Sequence, residues 1–565
     1  MAMAWRPFTA AMAVIAYTLV SRQPVWSLSA FVRNFCGLWL SGFLLWAVYT
    51  VLLYPNYFSP LRHLPSPPGG SFWNGHFNEI NQSPTGIPMR EWINTVPNNG
   101  LIRYGGIFNQ ERIMPTSPKA LADVLVTRNY DFEKPSQIRK SIGRILGIGV
   151  LLAEGDQHKM QRRNLMPAFA FRHIKDLYPV FWQKSREAIQ AMTKEVIEGV
   201  NKQASTPKEA GGSSEATIKQ GWSSFEASEW ASRATLDIIG VAGLGRDFGA
   251  INNPDNELSS RYRTIFRPSR QARILGILGL FMPAWITTRI PVKRNNDIAE
   301  AAKTIRAVCS DLIKEKREKL ARKELTDVDI LSVALESGTF TDVELIDQLM
   351  TFLAAGHETT ASAMTWAIYM LCLHPDVQTR LRKEIRENLP SMDSDSTVSS
   401  LDIDHLPYLN AVINEVLRYY SPVPLTIRQP VVDTVVNGEH VPKGTRVILC
   451  SWAINYSTEL WGADAAVFNP ERWLATDEHD KKQAGSGGAT SNYAFMTFLH
   501  GPRSCIGQAF SKAEFACLLA AWIGRFEFEL KNKEEYDEKN MLIKGGITAR
   551  PAKGLHVNAT VVEGW

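Results

Sequence analysis

The chain has 565 residues, 45% of them apolar and 21% charged, a composition that excludes a disordered segment, a collagen-like fibre and a small disulfide scaffold. Its 62 basic and 57 acidic residues leave a formal charge of +5. They are interleaved, as in the helical run from Leu312 to Lys323, which reads as a solvated face, so nothing points to nucleic acid. The six cysteines are Cys36, Cys309, Cys372, Cys450, Cys505 and Cys517; with no CxxC pair they indicate neither zinc nor a disulfide framework and fit a reducing compartment. The length allows three or four domains, yet no internal repeat and no long linker follows position 70. One large domain is expected.

Two apolar stretches open the chain. Residues 7–21 are uncharged between Arg6 and Arg22 and read as a second span, an interfacial helix or a signal core, without a clear small-residue cleavage site. From Arg33 to Arg62 no residue is charged, and this stretch holds the ~20 apolar residues a bilayer requires. Residues 1–54 are therefore expected to form a hydrophobic anchor of one or two membrane segments. Residues 55–70 are rich in proline and glycine and are expected to form an extended hinge that ends the helix. Residues 71–565 form the globular part.

Within it, residues 203–221 and 477–492 are rich in Gly, Ser, Thr and Lys and read as flexible surface insertions. Residues 274–288 carry no charge and lie between Arg267, Arg270, Arg273 and Arg289, Lys293, Arg294, with Pro283 inside. This segment is either a membrane-dipping entrance to a pocket or part of the core. The longest helical pattern runs over 342–374, opened by Thr341 and Glu344 in a capping box and stopped by Pro375. It is apolar nearly all round and belongs in the core. Shorter helices are predicted over 376–389 and 408–420, and Asn437-Gly438 marks a β-hairpin. The class is mainly α with small β-sheets.

The stretch around Cys505 carries the chemistry. A lone cysteine is most often a small buried hydrophobe. Here Gly501 and Gly507 bracket it, Arg503 offers a cation, Phe498 an aromatic shield, and a helical pattern begins after Gly507. A thiolate on iron needs N–H donors aimed at sulfur and exclusion of water. A helix N-terminus beside the sulfur stabilises its negative charge.

Phe498, Gly501, Arg503, Cys505 and Gly507 match the F-x-x-G-x-R-x-C-x-G haem-ligand signature, and from about residue 65 the chain resembles the cytochrome P-450 family of haem-thiolate monooxygenases. The anchor and hinge are similar to those of microsomal members. The resemblance implies haem b held by Cys505 as axial thiolate, O2 as co-substrate, and electrons from an NADPH-cytochrome reductase, with cytochrome b5 an optional second donor. In "AAGHETT", Glu358 and Thr359 resemble the family's acid and alcohol for protonating iron-bound oxygen, with Gly356 beside them letting the helix approach the haem. Glu415, Arg418 and Arg472 resemble a buried ion-pair network that fixes the cysteine loop; alone, the first two would be a surface pair. Arg162 resembles a haem-propionate ligand, with His158 where the family often has Trp, and Arg428 is a further propionate candidate by analogy. Pocket walls are implied at 141–152, just before Gly356, at 423–427 and at 545–551.

The implied function is insertion of one oxygen atom from O2 into a lipophilic small molecule. Two polar insertions and a double hydrophobic N-terminus resemble fungal members, many of which tailor terpenoids, polyketides or alkaloids. A fatty-acid or xenobiotic hydroxylase would read much the same. A haem-thiolate isomerase and a non-enzymatic membrane haem protein are the rivals, both opposed by the intact acid–alcohol pair. The implied location is the endoplasmic reticulum membrane, with the catalytic domain on its cytosolic side.

Overall fold

The computed structural model describes residues 5–205, 221–266, 270–282, 284–324, 329–475 and 485–565. The chain divides into two compact units. The first comprises Met1–Ser83, Trp92–Glu133 and Ile427–Leu449. It begins with helices α1 (Trp5–Ser21) and α2 (Leu28–Val48), packed side by side because Gly42 leaves room for the Phe8 ring: a Cβ there would stand 2.6 Å from it. Trp39 Nε1 donates to Thr9 Oγ1 at 3.3 Å.

The helix does not stop at the predicted hinge. It continues from α2 as a π-helix over Tyr49–Phe58 with Pro55 inside it. In a π-helix each N–H serves the carbonyl five residues back, so Pro55, which has none, leaves Thr50 O without that donor; Asn109 Nδ2 donates to the neighbouring Val51 O at 3.0 Å. Leu28–Phe58 is, among the described residues, the one helix long and apolar enough to cross a membrane. At about 1.5 Å per residue α1 is some 26 Å long, short of the ~30 Å hydrocarbon core.

Beyond short helices and a hairpin, this unit is built on a five-stranded sheet in the order Leu101–Gly105, Glu111–Pro115, Arg446–Leu449, Thr426–Pro430, Phe132–Glu133. The first two strands are antiparallel, and the second runs parallel to the third with Ile113 opposite Val447. Tyr104, Ile113, Met114, Leu121 and Leu125 fill its core. The predicted hairpin is present: Asn437 and Gly438 both have positive φ (54° and 89°), as a two-residue primed turn requires.

The second unit holds Pro84–Glu91, Lys134–Thr426 and Cys450–Trp565. Its helices include α3 (Gly155–Leu165), α4 (Tyr178–Ser205), α5 (Ala227–Ile238), α6 (Lys293–Ala321), α7 (Asp342–Leu373), α8 (Pro375–Asn388), α9 (Pro407–Tyr419) and α10 (Gln508–Arg525). The capping box on α7 forms as predicted, Thr341 Oγ1 accepting from Glu344 N and the Glu344 carboxylate from Thr341 N. α7 is the core element, packed by α5, α6, α9 and α10. Small antiparallel sheets pair His556–Val561 with Ser223–Glu226 and Phe526–Leu530, and Ile543–Gly545 with Ala549–Pro551.

Two further sequence readings change. The run from Leu312 to Lys323 is not solvated throughout, because Lys316 is buried, with Nζ 2.5 Å from the Asp329 carboxylate and 2.9 Å from Ser332 Oγ. Residues 274–288 fall on two helices, Arg270–Phe281 and Ala284–Thr287, and Ile274 is exposed, so this is not a sealed core segment; Pro283 lies outside the described residues. Residues 206–220 of the first polar insertion and 477–484 of the second also lie outside them.

Candidate active site

The signature residues form a turn leading into α10. Leu499 (φ 56°) and Gly501 (φ 74°) take left-handed backbone, which reverses the chain so that Cys505 N donates to Phe498 O at 2.8 Å. Gly501 meets a conformation that side chains resist. Gly507 does not: its φ is −91°, and a Cβ there would meet only Phe169 at 3.7 Å. Its contribution is its N–H, which donates to the Cys505 sulfur at the start of α10.

Cys505 is exposed, yet burial is the largest influence on its thiol, pushing it up, while the Gly507 N–H and the nearby Arg162 guanidinium pull the other way. A sulfur that is accessible yet crowded by protein atoms lies in a recess of the surface. The core helix has a matching feature. Residues 357, 358 and 360–372 of α7 are buried, whereas Ala355 and Thr359, one turn apart on one face, are only half-buried. An unpacked strip on a core helix, and a sulfur with an N–H aimed at it, fit a haem bound through thiolate.

The acid–alcohol pair sits on unbroken helix. Thr359 Oγ1 donates to Ala355 O at 2.7 Å and Thr360 Oγ1 to Gly356 O at 3.1 Å, so the local distortion that Gly356 permits is not expressed; Ile239 packs against it, 3.1 Å from where a Cβ would stand. Glu358 is buried, accepts from Thr548 Oγ1 at 2.8 Å and forms an ion pair with Arg550. The strand bearing these partners is fastened to α7: Ser362 Oγ and Trp366 Nε1 donate to Ala549 O at 2.8 and 2.9 Å. Beside the pair, His357 Nδ1–H donates to Leu353 O, and Nε2 lies 3.3 Å from Ser232 Oγ. Burial lowers its pKa to about 4.

Arg162 and His158 share one face of α3. Arg162 Nη1 donates to Ser504 O at 2.5 Å, next to the cysteine, and His158 is buried. Arg503 is buried in an ion pair with Glu154, whose other oxygen accepts from Lys134 N at 2.9 Å. Arg428 lies in the first unit on the Thr426–Pro430 strand, where burial lowers its pKa to about 10.

The Glu–Arg–Arg network is buried. Both oxygens of Glu415 are filled, by Arg418 Nε and Nη2 (2.9 and 2.8 Å), Arg472 Nε (3.2 Å), Asn469 N (2.7 Å) and Trp473 Nε1 (2.9 Å). Arg418 also donates to Asn455 O. The Asn455 amide then accepts from Met496 N and donates to Thr497 Oγ1, so the network reaches the strand of chain leading to Phe498. Sequence reasoning did not reveal Glu154, Thr548, Arg550 and Asn455 as partners. They meet Arg503, Glu358 and the loop across up to 349 residues of chain, where no local periodicity operates.

The model of the family described as Cytochrome P450 matches residues 104–557. Cytochrome P450 monooxygenase ALT8 of Alternaria alternata is 44% identical over 92% of this chain and 93% of its own. Cytochrome P450 monooxygenase sphH of Aspergillus fumigatus is likewise 44% identical, over 92% and 91%, and cytochrome P450 monooxygenase FUM15 of Gibberella moniliformis 43%, over 90% of both. With the cysteine turn and the core helix in place, these matches make the chain a member of the cytochrome P450 family, a haem-dependent monooxygenase that uses O2 and electrons from a redox partner.

Proposed function

We propose that the enzyme performs a tailoring oxidation on a lipophilic secondary metabolite of the terpenoid, polyketide or alkaloid class. It would be anchored in the endoplasmic reticulum membrane with its catalytic part in the cytosol, and take electrons from an NADPH-cytochrome reductase with cytochrome b5 as auxiliary donor. The observation that carries the reading is Cys505, accessible but desolvated and capped by the Gly507 N–H. On this reading residues 1–54 are anchor and 71–565 catalytic domain, and the helix carries on to Phe58 within the proline-rich stretch 55–70 between them. The similarity to fungal monooxygenases supports it.

Bound through Cys505, haem b supplies O2 activation, the thiolate favouring O–O cleavage. The chain's own residues bind, orient and move protons. Phe498 and the turn from Leu499 to Gly507 shield the sulfur and hold an N–H on it. Arg162, His158 and Arg503 are the groups that would neutralise the two propionates; Arg503 must share itself with Glu154 to do so. Thr359 can deliver a proton once its hydroxyl turns from Ala355 O, and Glu358 can resupply it once the Arg550 pair opens. Both groups sit on the edge of α7 that carries the half-buried strip.

The test compares, by mass spectrometry, lipophilic metabolites of a host carrying the native protein with those of a host carrying Cys505→Ala. Accumulation of a compound one oxygen poorer than a lost product supports the reading. Coincident profiles, with the native protein haem-loaded, overturn the tailoring role in that host.

A further inference from the structure

Five of the exposed large apolar side chains in the first unit are aromatic and lie where the long helix ends: Tyr57 (69% exposed), Phe58 (59%), Phe72 (64%), Trp73 (58%) and Phe108 (51%). Single exposed apolar residues are ordinary; five aromatics in one place are not. Hydrogen bonds fix their proximity. Asn109 Nδ2 donates to Phe72 O at 2.6 Å as well as to Val51 O of the helix, Phe108 N approaches Asn74 Oδ1 at 3.4 Å, and Arg103 Nη2 donates to Pro55 O at 2.5 Å.

The supports are rigid. Phe72 and Trp73 ride on a tight loop closed by two bonds between Ser71 and Gly75, their rings edge to face at 5.3 Å. The loop is pressed onto the neighbouring strand, since a Cβ on Gly75 would come within 2.6 Å of the Gly105 backbone. Phe108 and Asn109 both have positive φ, 51° and 52°, a conformation that is rare for bulky residues and held only where the surroundings impose it. Arg103 is itself braced by Glu111, which also accepts from Ser59 Oγ directly after the helix.

We propose that Tyr57, Phe58, Phe72, Trp73 and Phe108 form an interfacial collar that seats the first unit in the headgroup layer of a phospholipid bilayer. Trp and Tyr favour that layer because each joins an apolar ring to a polar N–H or O–H, and the three Phe rings add apolar surface to its hydrocarbon side. The occupant follows from continuity: the collar surrounds the end of the helix that is apolar enough to span. Because Asn109 and Arg103 fasten the proline end of that helix, the collar fixes depth and tilt together, and the helix is no loose tether. This rests on Leu28–Phe58 crossing the bilayer.

The test uses haem-loaded full-length protein carrying Cys36→Ser in phosphatidylcholine nanodiscs without a redox partner. Spin labels are placed singly through Leu44→Cys, Trp73→Cys, Phe108→Cys and Lys443→Cys, and collisions with an aqueous nickel complex and with oxygen are measured. The expected result is deep burial at 44, nickel collisions several-fold lower at 73 and 108 than at 443, and full aqueous access at 443. Burial at 44 with aqueous access at 73 and 108 overturns the collar and leaves the anchor standing. Aqueous access at 44 overturns the anchor itself. Shielding at 73 and 108 that arises only when a reductase is added shows a protein-docking face and also overturns the collar.

Discussion

Arg550 closes an ion pair on Glu358, and Thr548 donates to the same carboxylate at 2.8 Å, so the acid of the acid–alcohol pair is engaged by a strand that the family resemblance assigns to the pocket wall. An opposite charge beside a carboxylate favours its ionised form. Arg550→Gln is therefore expected to shift the pH–rate profile of product formation toward higher pH, with haem loading intact. An unchanged profile would remove Glu358 from the proton path.

Thr359 is expected to control the fate of electrons. Thr359→Ala should lower product formation by about 10²-fold, the scale of a lost proton donor, and raise the share of reductant consumed as hydrogen peroxide. Thr359→Ser should restore coupling. Measured together, reductant use, peroxide and product separate this from a packing defect, which would lower all three.

Arg503 and Glu154 are buried partners. Removing one partner of such a pair costs roughly 3–5 kcal/mol because the other charge stays buried, so Arg503→Gln should depress thermal stability. The double variant Arg503→Gln, Glu154→Gln distinguishes roles. If Arg503 acts only through Glu154, haem content recovers; if it also holds a propionate, stability recovers in part while haem affinity stays low.

Glu415 accepts five hydrogen bonds from four residues, two of them arginines. Glu415→Ala leaves Arg418 buried without its carboxylate, a loss of roughly 3–5 kcal/mol. The expected outcome is protein without the reduced carbon monoxide spectrum of a thiolate-bound haem. A normal spectrum would show that the loop before Cys505 is fixed by other means.

His357 gives a pH dependence. Its pKa is lowered from 6.5 to about 4 by burial, so the unfolded chain binds its proton first as pH falls. Stability from this group is complete above about pH 6.5 and is lost progressively toward pH 4, up to about 3 kcal/mol. Apparent melting temperature measured at pH 7.5 and 5 should fall less in His357→Gln than in the native protein.

The long core helix, its capping box, its stop at Pro375 and the Asn437-Gly438 hairpin were legible because each depends on residues a few positions apart. The cysteine turn was legible for the same reason, although Gly507 acts through its N–H and not through close packing. What stayed hidden is what long-range contact decides. Pro55 reads as a helix stop, yet the helix passes it with bonds that span five residues and is held to Asn109 from outside, and Lys316 reads as solvated until Asp329 lies against it. Glu358 and Arg503 read as facing the cofactor, and no neighbour in sequence announces Arg550 or Glu154.

The chain of bonds from Glu415 through Asn455 to Thr497 bears on the order of events during synthesis. The cysteine turn is held by groups about ninety residues upstream and, through Arg503, by Glu154 much earlier still. At about 5–20 residues per second, the stretch from Glu415 to Cys505 takes roughly 5–18 s to emerge from a ribosome. During that interval α1 to α9 are available but Cys505 is not. Contacts of such separation form slowly, so haem capture belongs to the late phase of folding, and a cell short of haem would accumulate a nearly folded chain whose last turn is unset.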